Sequence, residues 1–172
     1  NLLIVGLGSI GKRHLANFLK FAGNVDVCDT RQDRLNDVKK KFIIRNCYNS
    51  FSPAFKKNKY DAVLICTPPS SHLKIAKEAI KNNCALFIEK PLGLNVNGWK
   101  NISLLCEKKK LVNYVAYCHR FIPYTQYLNK IINKDKIIGK IFSGHLRWSS
   151  YLPNWHPYED YKSFYMSKKL LG

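Results

Sequence analysis

Short, wholly apolar runs alternate along the chain with longer stretches in which apolar residues recur every three or four positions. The first run, Leu2–Val5, ends in glycine, as expected for a parallel strand that is covered on both faces. A helical stripe of apolar residues follows over residues 10–21 and stops at Gly23. This order of strand, glycine turn and helix predicts the beginning of a β-α-β unit.

The same alternation continues as far as Tyr117. Apolar runs predict strands at residues 25–28, 43–44, 60–66, 85–88 and 112–117, and periodic stretches predict helices at 33–42, 52–57, 70–83 and 98–109. Regular alternation of strands and helices is typical of a doubly wound parallel sheet. The predicted fold class is therefore α/β, a Rossmann sheet.

The pattern changes after residue 120. Pro123 begins a predicted helix that runs to about Asn133, and residues 141–148 alternate like the first strand of a different sheet. We therefore expect a nucleotide-binding domain at residues 1–120 and the start of an α+β second domain at residues 121–172. A chain of 172 residues is too short for two full domains of ordinary size, so the second is expected to be incomplete.

The formal net charge of +18 raises the question of a nucleic-acid partner. The positive residues are mostly lysines in short groups near predicted helix ends, where cations suit the helix dipole. Arginine, which reads bases and clamps phosphates, occurs only six times and never in a cluster. We therefore predict no nucleic-acid partner.

Cysteine spacing and hydropathy exclude other classes. The six cysteines form no CxxC pair, which predicts neither a metal site nor a disulfide framework. No apolar run approaches the ~20 residues needed to cross a bilayer, and the opening segment lacks the features of a signal peptide. We expect a cytoplasmic protein with no membrane partner.

A glycine-rich turn directly follows the first predicted strand. It reads Gly6-Leu7-Gly8-Ser9-Ile10-Gly11 and opens the first helix. The bare backbone at Gly6, Gly8 and Gly11, with Ser9 and Ile10 at the helix N-terminus, can receive a pyrophosphate. The alternative is a simple tight turn, but the strand before it and the helix after it favour dinucleotide binding.

An acidic residue lies at the position that this motif requires. Asp29 follows the second predicted strand, where a carboxylate accepts both adenosine ribose hydroxyls and repels a 2'-phosphate. The predicted cofactor is therefore NAD. Arg31 can bind the phosphate that Asp29 rejects, so NADP stays open, and a helix cap is the structural alternative for Asp29.

Further motifs give a family resemblance. The stretches are Cys66-Thr67-Pro68-Pro69-Ser70-Ser71-His72, Glu89-Lys90-Pro91, Tyr117-Cys118-His119-Arg120-Phe121-Ile122-Pro123 and Tyr151-Leu152-Pro153-Asn154-Trp155-His156-Pro157. With the glycine turn they occur in the order seen in the glucose-fructose oxidoreductase and inositol dehydrogenase family, Gfo/Idh/MocA. The chain resembles this family over its whole length.

The resemblance implies a catalytic role for Lys90, beside the nicotinamide and the reacting carbon. An ordinary lysine has a pKa of about 10.4, but partial burial and a positive nicotinamide both penalise its cationic form, so it can act as general base. Glu89 is expected to fix either the ribose or the lysine. The alternative for Lys90 is a solvated charge at the end of a strand.

Other residues are given ligand contacts by the same resemblance. Thr67 and Pro68 are expected at the nicotinamide-side phosphate or ribose, the alternative being entry to a helix. His72 either contacts the ligand or is a packed, hydrogen-bonded histidine of the first helical turn. His119 stands where the family commonly has an amide. Trp155-His156 resembles the family's Trp-Arg pair near the carboxamide, with a buried core Trp as the alternative.

The implied function is hydride transfer between NAD(P) and a hydroxyl of a sugar, nucleotide-sugar or polyol. The tail after Glu159 resembles a subgroup associated with polysaccharide and nucleotide-sugar gene products, and the family forms homo-oligomers. Further site partners are expected beyond Gly172. The alternative is a noncatalytic dinucleotide-binding sensor on the same sheet, which needs Gly6, Gly8, Gly11 and Asp29 but not Lys90.

Overall fold

The computed structural model describes residues 1–154, 160–163, 167–168 and 170. The chain divides into two compact units, the first built mainly of Asn1–Ala116 and the second of Tyr117–Ser167. The domain boundary at residue 120 stays a prediction.

The first unit contains a six-stranded sheet in the order β3-β2-β1-β4-β5-β6, with every neighbouring pair parallel. The strands are β1 (Leu2–Val5), β2 (Val25–Cys28), β3 (Asn46–Tyr48), β4 (Ala62–Ile65), β5 (Ala85–Ile88) and β6 (Asn113–Val115). This confirms the predicted α/β fold class. The strand order reverses between β1 and β4, and ligands of doubly wound sheets bind at the carboxyl ends of strands beside such a reversal.

Helices cover both faces of the sheet. They are α1 (Ser9–Phe18), α2 (Gln32–Lys41), α3 (Phe51–Lys57), α4 (Pro69–Lys81) and α5 (Trp99–Lys108). Leu3 and Val5 of β1 belong to one core cluster with residues of α4 and α5, whereas Ile4 belongs to a second cluster with residues of α1 and α2. Because alternate residues of each central strand enter different cores, the whole strand is apolar.

The third strand differs from the prediction. A strand at residues 43–44 is wrong, because Ile43 is 97% exposed and β3 begins at Asn46. The register pairs Asn46 with Asp26 of β2, and the Asn46 side chain donates to the Asp26 carboxylate at 3.2 Å. Polar pairing with β2 therefore decides where this edge strand forms. The apolar residues 43–44 remain in the connection between α2 and β3.

The second unit begins with a 3-10 turn at Cys118–Phe121, followed by α6 (Pro123–Asn129) and a π-helical turn at Lys130–Lys134. Short 3-10 turns lie at Leu152–Asn154 and Tyr161–Ser163. The strand predicted at residues 141–148 is wrong, since these residues have no strand partner among the described residues. An alternating pattern forms a strand only where another strand completes its hydrogen bonds.

None of the helices in the described part of the chain is long and apolar enough to cross a membrane.

A fully buried carboxylate joins three segments of the first unit. Asp26 accepts hydrogen bonds from Arg45 Nε at 2.8 Å and Nη2 at 2.9 Å, and from the Tyr60 hydroxyl at 2.7 Å. Burial opposes the charge of Asp26, but the hydrogen bonds from Arg45 and Tyr60 outweigh it and lower the pKa of the carboxyl. This ionised group ties β2 to the segments before β3 and β4.

Asp26→Asn should lower the free energy of unfolding by about 2 kcal/mol at pH 7, because a buried acceptor of charged hydrogen bonds is lost. The folded pKa lies below the unfolded value, so the carboxylate stabilises the fold above the unfolded pKa, and this contribution is lost as the pH falls through the folded pKa. Urea denaturation measures the free energy of unfolding at each pH. The difference in this quantity between variant and wild type should be smaller at pH 3 than at pH 7.

The matched control is Glu107→Gln on α5, whose exposed carboxylate should contribute little at either pH. An Asp26→Asn deficit that is the same at both pH values would contradict the role given to the carboxylate charge.

Candidate functional site

The glycine turn lies at the carboxyl end of β1, beside the reversal of strand order. Gly6 has φ +97°, and a Cβ there would lie 2.5 Å from the Cys66 carbonyl oxygen. A Cβ on Gly11 would overlap the Gly6 carbonyl oxygen, whereas one on Gly8 would meet only Arg34 Nη1 at 3.8 Å. Gly6 and Gly11 are therefore required by packing within the protein, and Gly8 has an open face.

Helix α1 presents an uncapped N-terminus at this turn. Gly8 is its N-cap residue and makes no side-chain cap, and the first turn has no acidic residue. Ser9 is exposed and Ile10 is partly buried. The first backbone N–H groups of a helix have no intrahelical acceptor, so this end of α1 suits an anionic group.

Asp29 holds the glycine turn from the neighbouring strand. Its buried carboxylate accepts the Leu7 N–H at 2.6 Å through Oδ2 and the Arg31 N–H at 2.8 Å through Oδ1. Arg31 is the N-cap residue of helix α2 and its own side chain makes no cap, so the bond from its N–H is the contact that Asp29 makes at the start of that helix. A carboxylate has about four lone-pair sites, which leaves acceptor capacity for a ligand hydroxyl.

Two arginines flank Asp29, and they differ in placement. The exposed Arg31 side chain pairs with Asp33, Nη2 to Oδ2, at 2.6 Å. Arg34 Nη1 lies 3.6 Å from Asp29 Oδ2, near the open face of Gly8. Sequence reasoning singled out Arg31 and missed Arg34. The sequence feature that could have identified Arg34 is its position in the first turn of the predicted helix after Asp29.

The turn after β4 is held by side chains of α4. Thr67 and Pro68 are partly buried, and the Ser71 hydroxyl donates to Thr67 Oγ1 at 2.6 Å. His72 has no exposed surface, and its Nε2 lies 2.7 Å from the Thr67 carbonyl oxygen while its Nδ1 lies 3.2 Å from that of Leu92. This geometry corresponds to the packed alternative for His72 and leaves the ring no surface for a ligand. The predicted cofactor contact of His72 therefore has no geometric basis here.

The turn after β5 combines a buried acid with an exposed lysine. Glu89 is 7% exposed and its main-chain N–H donates to the Ile65 carbonyl at 2.9 Å, which keeps this end of β5 beside β4. Its Oε1 lies 2.7 Å from His14 Nε2, and its Oε2 accepts the Lys90 N–H at 3.2 Å. The Lys90–Pro91 peptide bond is cis, and Lys90 is exposed.

The sheet brings most of the predicted residues to one edge. The glycine turn, Asp29, Thr67 and Lys90 follow β1, β2, β4 and β5, four strands that are adjacent in the sheet. His119 belongs to the second unit, where its ring packs against Trp148 with centroids 4.9 Å apart. Trp155 and His156 lie outside the described residues, so their predicted contacts stay predictions.

Two buried thiols flank the glycine turn. Burial, with a smaller contribution from Asp29, raises the pKa of Cys28 to about 12. Burial and the charge of Glu89 also raise the pKa of Cys66. Both thiols stay protonated at neutral pH and act as small apolar groups rather than nucleophiles. Among the described residues, no group of three His, Cys, Asp or Glu side chains can hold a metal ion.

Residues 1–117 match the Gfo/Idh/MocA family model, whose description is an oxidoreductase family with an NAD-binding Rossmann fold. The chain belongs to this family. Its first unit is the family's NAD-binding domain, which confirms the resemblance of the motifs and the predicted cofactor.

Relatives include dehydrogenases of polyols and nucleotide-sugars. A myo-inositol 2-dehydrogenase from Thermotoga maritima is 27% identical over 139 residues, which cover 80% of this chain and 41% of the relative. A UDP-N-acetylglucosamine 3-dehydrogenase from Acidithiobacillus ferrooxidans is 25% identical, covering 74% of this chain and 40% of the relative.

A solved structure has the same fold. The crystal structure of scyllo-inositol dehydrogenase from Lactobacillus casei with bound NAD(H) and scyllo-inositol has a TM-score of 0.72 at 24% identity, covering 79% of this chain and 41% of that one. The chain of this Gfo/Idh/MocA protein thus spans 41% of the length of each of these two inositol dehydrogenases.

Two glycine substitutions should separate folding from cofactor binding. Gly8→Ala has an ordinary extended backbone and open space, so it should lower the free energy of unfolding by less than about 1 kcal/mol, the usual cost of alanine at an N-cap. It should lower NADH affinity at least about tenfold, because the methyl group would occupy the open face that suits a pyrophosphate. Gly11→Ala should lower the free energy of unfolding by about 2 kcal/mol, because its methyl group meets the Gly6 carbonyl.

Urea denaturation and fluorescence titration with NADH measure the two effects, and each variant serves as the other's control. Wild-type NADH affinity in Gly8→Ala would contradict the proposed path of the pyrophosphate.

Proposed function

We propose that this protein transfers hydride between NAD and a hydroxyl-bearing carbon of a sugar, nucleotide-sugar or polyol, with Lys90 as the proton carrier. The observation that carries the proposal is the position of Lys90. It is exposed at the carboxyl end of β5, on the same sheet edge as the glycine turn, while the preceding Glu89 is buried and fixed. The dehydrogenase relatives support the substrate class.

The proposed NAD-binding site consists of groups that remain available to a ligand. The N-terminus of α1 and the open face of Gly8 suit the pyrophosphate, and the free lone pairs of Asp29 suit the adenosine ribose hydroxyls. Arg34 borders the same position, where a guanidinium can stack on adenine. NAD supplies the hydride acceptor or donor when it is bound.

Lys90 would move the proton that accompanies the hydride. In the oxidising direction the neutral amine takes the proton of the substrate hydroxyl, and in the reducing direction the ammonium polarises the carbonyl and returns the proton. If Lys90 were only a solvated charge at the end of β5, it would exchange no proton with a substrate.

Glu89 is proposed to position the lysine rather than the ribose. Both of its oxygens have protein partners, Oε1 with His14 and Oε2 with the Lys90 N–H. On the other side of the site, the Ser71 hydroxyl lies 2.6 Å from Thr67 Oγ1 and 2.9 Å from the Pro68 carbonyl oxygen, so the three groups share one small hydrogen-bond network. Within it, Thr67 Oγ1 would contact a phosphate or ribose oxygen. Pro68 would pack beside it.

The substrate side is proposed to lie with the second unit. His119, Trp155 and His156 would approach the nicotinamide or the sugar, as the family resemblance implies, and the whole protein would form homo-oligomers. A sugar or nucleotide-sugar held over Lys90 must be oriented and shielded from water before hydride transfer, because positioning supplies a large part of the rate.

Lys90→Met should lower turnover about 100-fold in the whole protein while leaving NADH affinity within a factor of about two, because the proton carrier is lost and the cofactor contacts are not. Turnover of inositols and UDP-sugars is followed by the absorbance of reduced nicotinamide. Lys100→Met on α5 is the control, since it removes another exposed lysine elsewhere in the first unit.

Near-normal turnover in Lys90→Met would remove this lysine from the mechanism. Tight NADH binding by the wild-type protein without turnover of any candidate sugar or polyol would favour the sensor alternative instead.

NADH should bind more tightly than NADPH, and Asp29→Asn should narrow the ratio of the two dissociation constants about tenfold, because the charge that repels a 2'-phosphate is removed beside Arg34. Calorimetric titration of this chain measures the ratio. Asp61→Asn is the control, since Asp61 immediately precedes β4 at the opposite edge of the sheet and pairs with the N-terminus. A wild-type preference for NADPH, or an unchanged ratio in Asp29→Asn, would contradict this assignment.

A further inference from the structure

Helix α1 reaches the turn after β5 through one histidine. His14 Nε2 lies 2.7 Å from Glu89 Oε1, although the two residues are 75 positions apart in the sequence. An ionised carboxylate only accepts hydrogen bonds, so Nε2 donates in this pair. The side chains are 16% and 10% exposed, and in such a partly desolvated place a hydrogen bond to a charged group is stronger than on the surface.

The His14 ring is held by aromatic packing. Its centroid lies 5.2 Å from that of Phe87 in an edge-on arrangement and 6.4 Å from that of Phe18. Phe87 belongs to β5, so His14 contacts both the strand and the turn that follows it. The ring therefore has little freedom to rotate, and it presents Nε2 to Glu89 from a fixed position.

The second oxygen of Glu89 completes the connection. Oε2 accepts the main-chain N–H of Lys90 at 3.2 Å, so the carboxylate joins α1 to the backbone of the residue proposed as proton carrier. Loss of the His14 bond would leave a buried carboxylate oxygen without its donor. The carboxylate would then rotate toward water, because leaving a buried charge unpaired is unfavourable.

We infer that His14 is a positioning residue that holds Lys90 in place through Glu89, and so couples the helix whose N-terminus faces the cofactor to the proton carrier. The inference rests on the proposed function of Lys90. The helix is a rigid body of ten residues, with the glycine turn at one end and His14 on its second turn. The glycine turn at one end of α1 is therefore joined to the Lys90 main chain through His14 and Glu89.

The test compares His14→Leu, His14→Gln and Asn17→Leu. Gln places an amide nitrogen the same number of bonds from Cβ as Nε2, so it can restore the donor, whereas Leu cannot. Asn17 is exposed on the same helix and outside the site, so Asn17→Leu controls for an apolar substitution in α1.

The first readout does not depend on activity. Hydrogen exchange of the Lys90 amide, resolved by NMR in this chain without cofactor, should be about tenfold faster in His14→Leu, as loss of one hydrogen bond to a charged group predicts. His14→Gln and Asn17→Leu should exchange like the wild type. Unchanged Lys90 exchange in His14→Leu would overturn the inference, whatever the affinity for NADH.

The second readout uses the whole protein. His14→Leu should lower kcat about 10- to 100-fold with the KM for NAD nearly unchanged, and His14→Gln should recover most of the loss. A rise in KM with kcat unchanged would overturn the positioning role. Wild-type protein that neither binds NADH nor turns over would instead refute the proposed function, and the exchange result would still decide whether His14 holds the turn.

Discussion

The site depends on the close approach of the turn after β1 to the end of β4. Gly6 and Gly11 leave no room for a Cβ, since one at Gly6 would lie 2.5 Å from the Cys66 carbonyl and one at Gly11 would overlap the turn itself. This approach sets the first turn of α1 directly against the sheet. That placement brings the N-terminus of α1 to the edge of the sheet. It also brings the glycine turn to Asp29 and His14 to Glu89.

Buried polar groups form the support of the sheet edge, and exposed groups remain for ligands. Asp29 holds the glycine turn, His72 lies between the Thr67 and Leu92 carbonyls, and Glu89 holds the Lys90 main chain. Each of these residues is buried. Their hydrogen bonds join turns that follow different strands, so the edge is organised before a ligand arrives, which is the condition for effective positioning of reacting groups.

The charge distribution follows the same division. The chain has a formal net charge of +18, yet the carboxylates of Asp26, Asp29 and Glu89 are buried, whereas no lysine or arginine among the described residues is buried. Each carboxylate has a hydrogen-bond donor within the fold. The lysines of the described residues lie outside the core, where their charge needs no buried partner, and a basic surface can attract anionic ligands.

The local sequence pattern was sufficient to predict much of the fold and of the candidate site. The strands at residues 2–5, 25–28 and 85–88, the α/β class, the glycine turn and its acidic partner could all be predicted, because apolar period and turn chemistry depend on neighbouring residues. The tertiary structure decided what depends on distant residues. It placed β3 at Asn46 beside Asp26, set Arg34 next to Asp29, enclosed His72, and joined His14 to Glu89 across 75 positions. Contacts of this kind leave no periodic signal in one sequence, because each arises only when packing of the helices on the sheet brings the two side chains together.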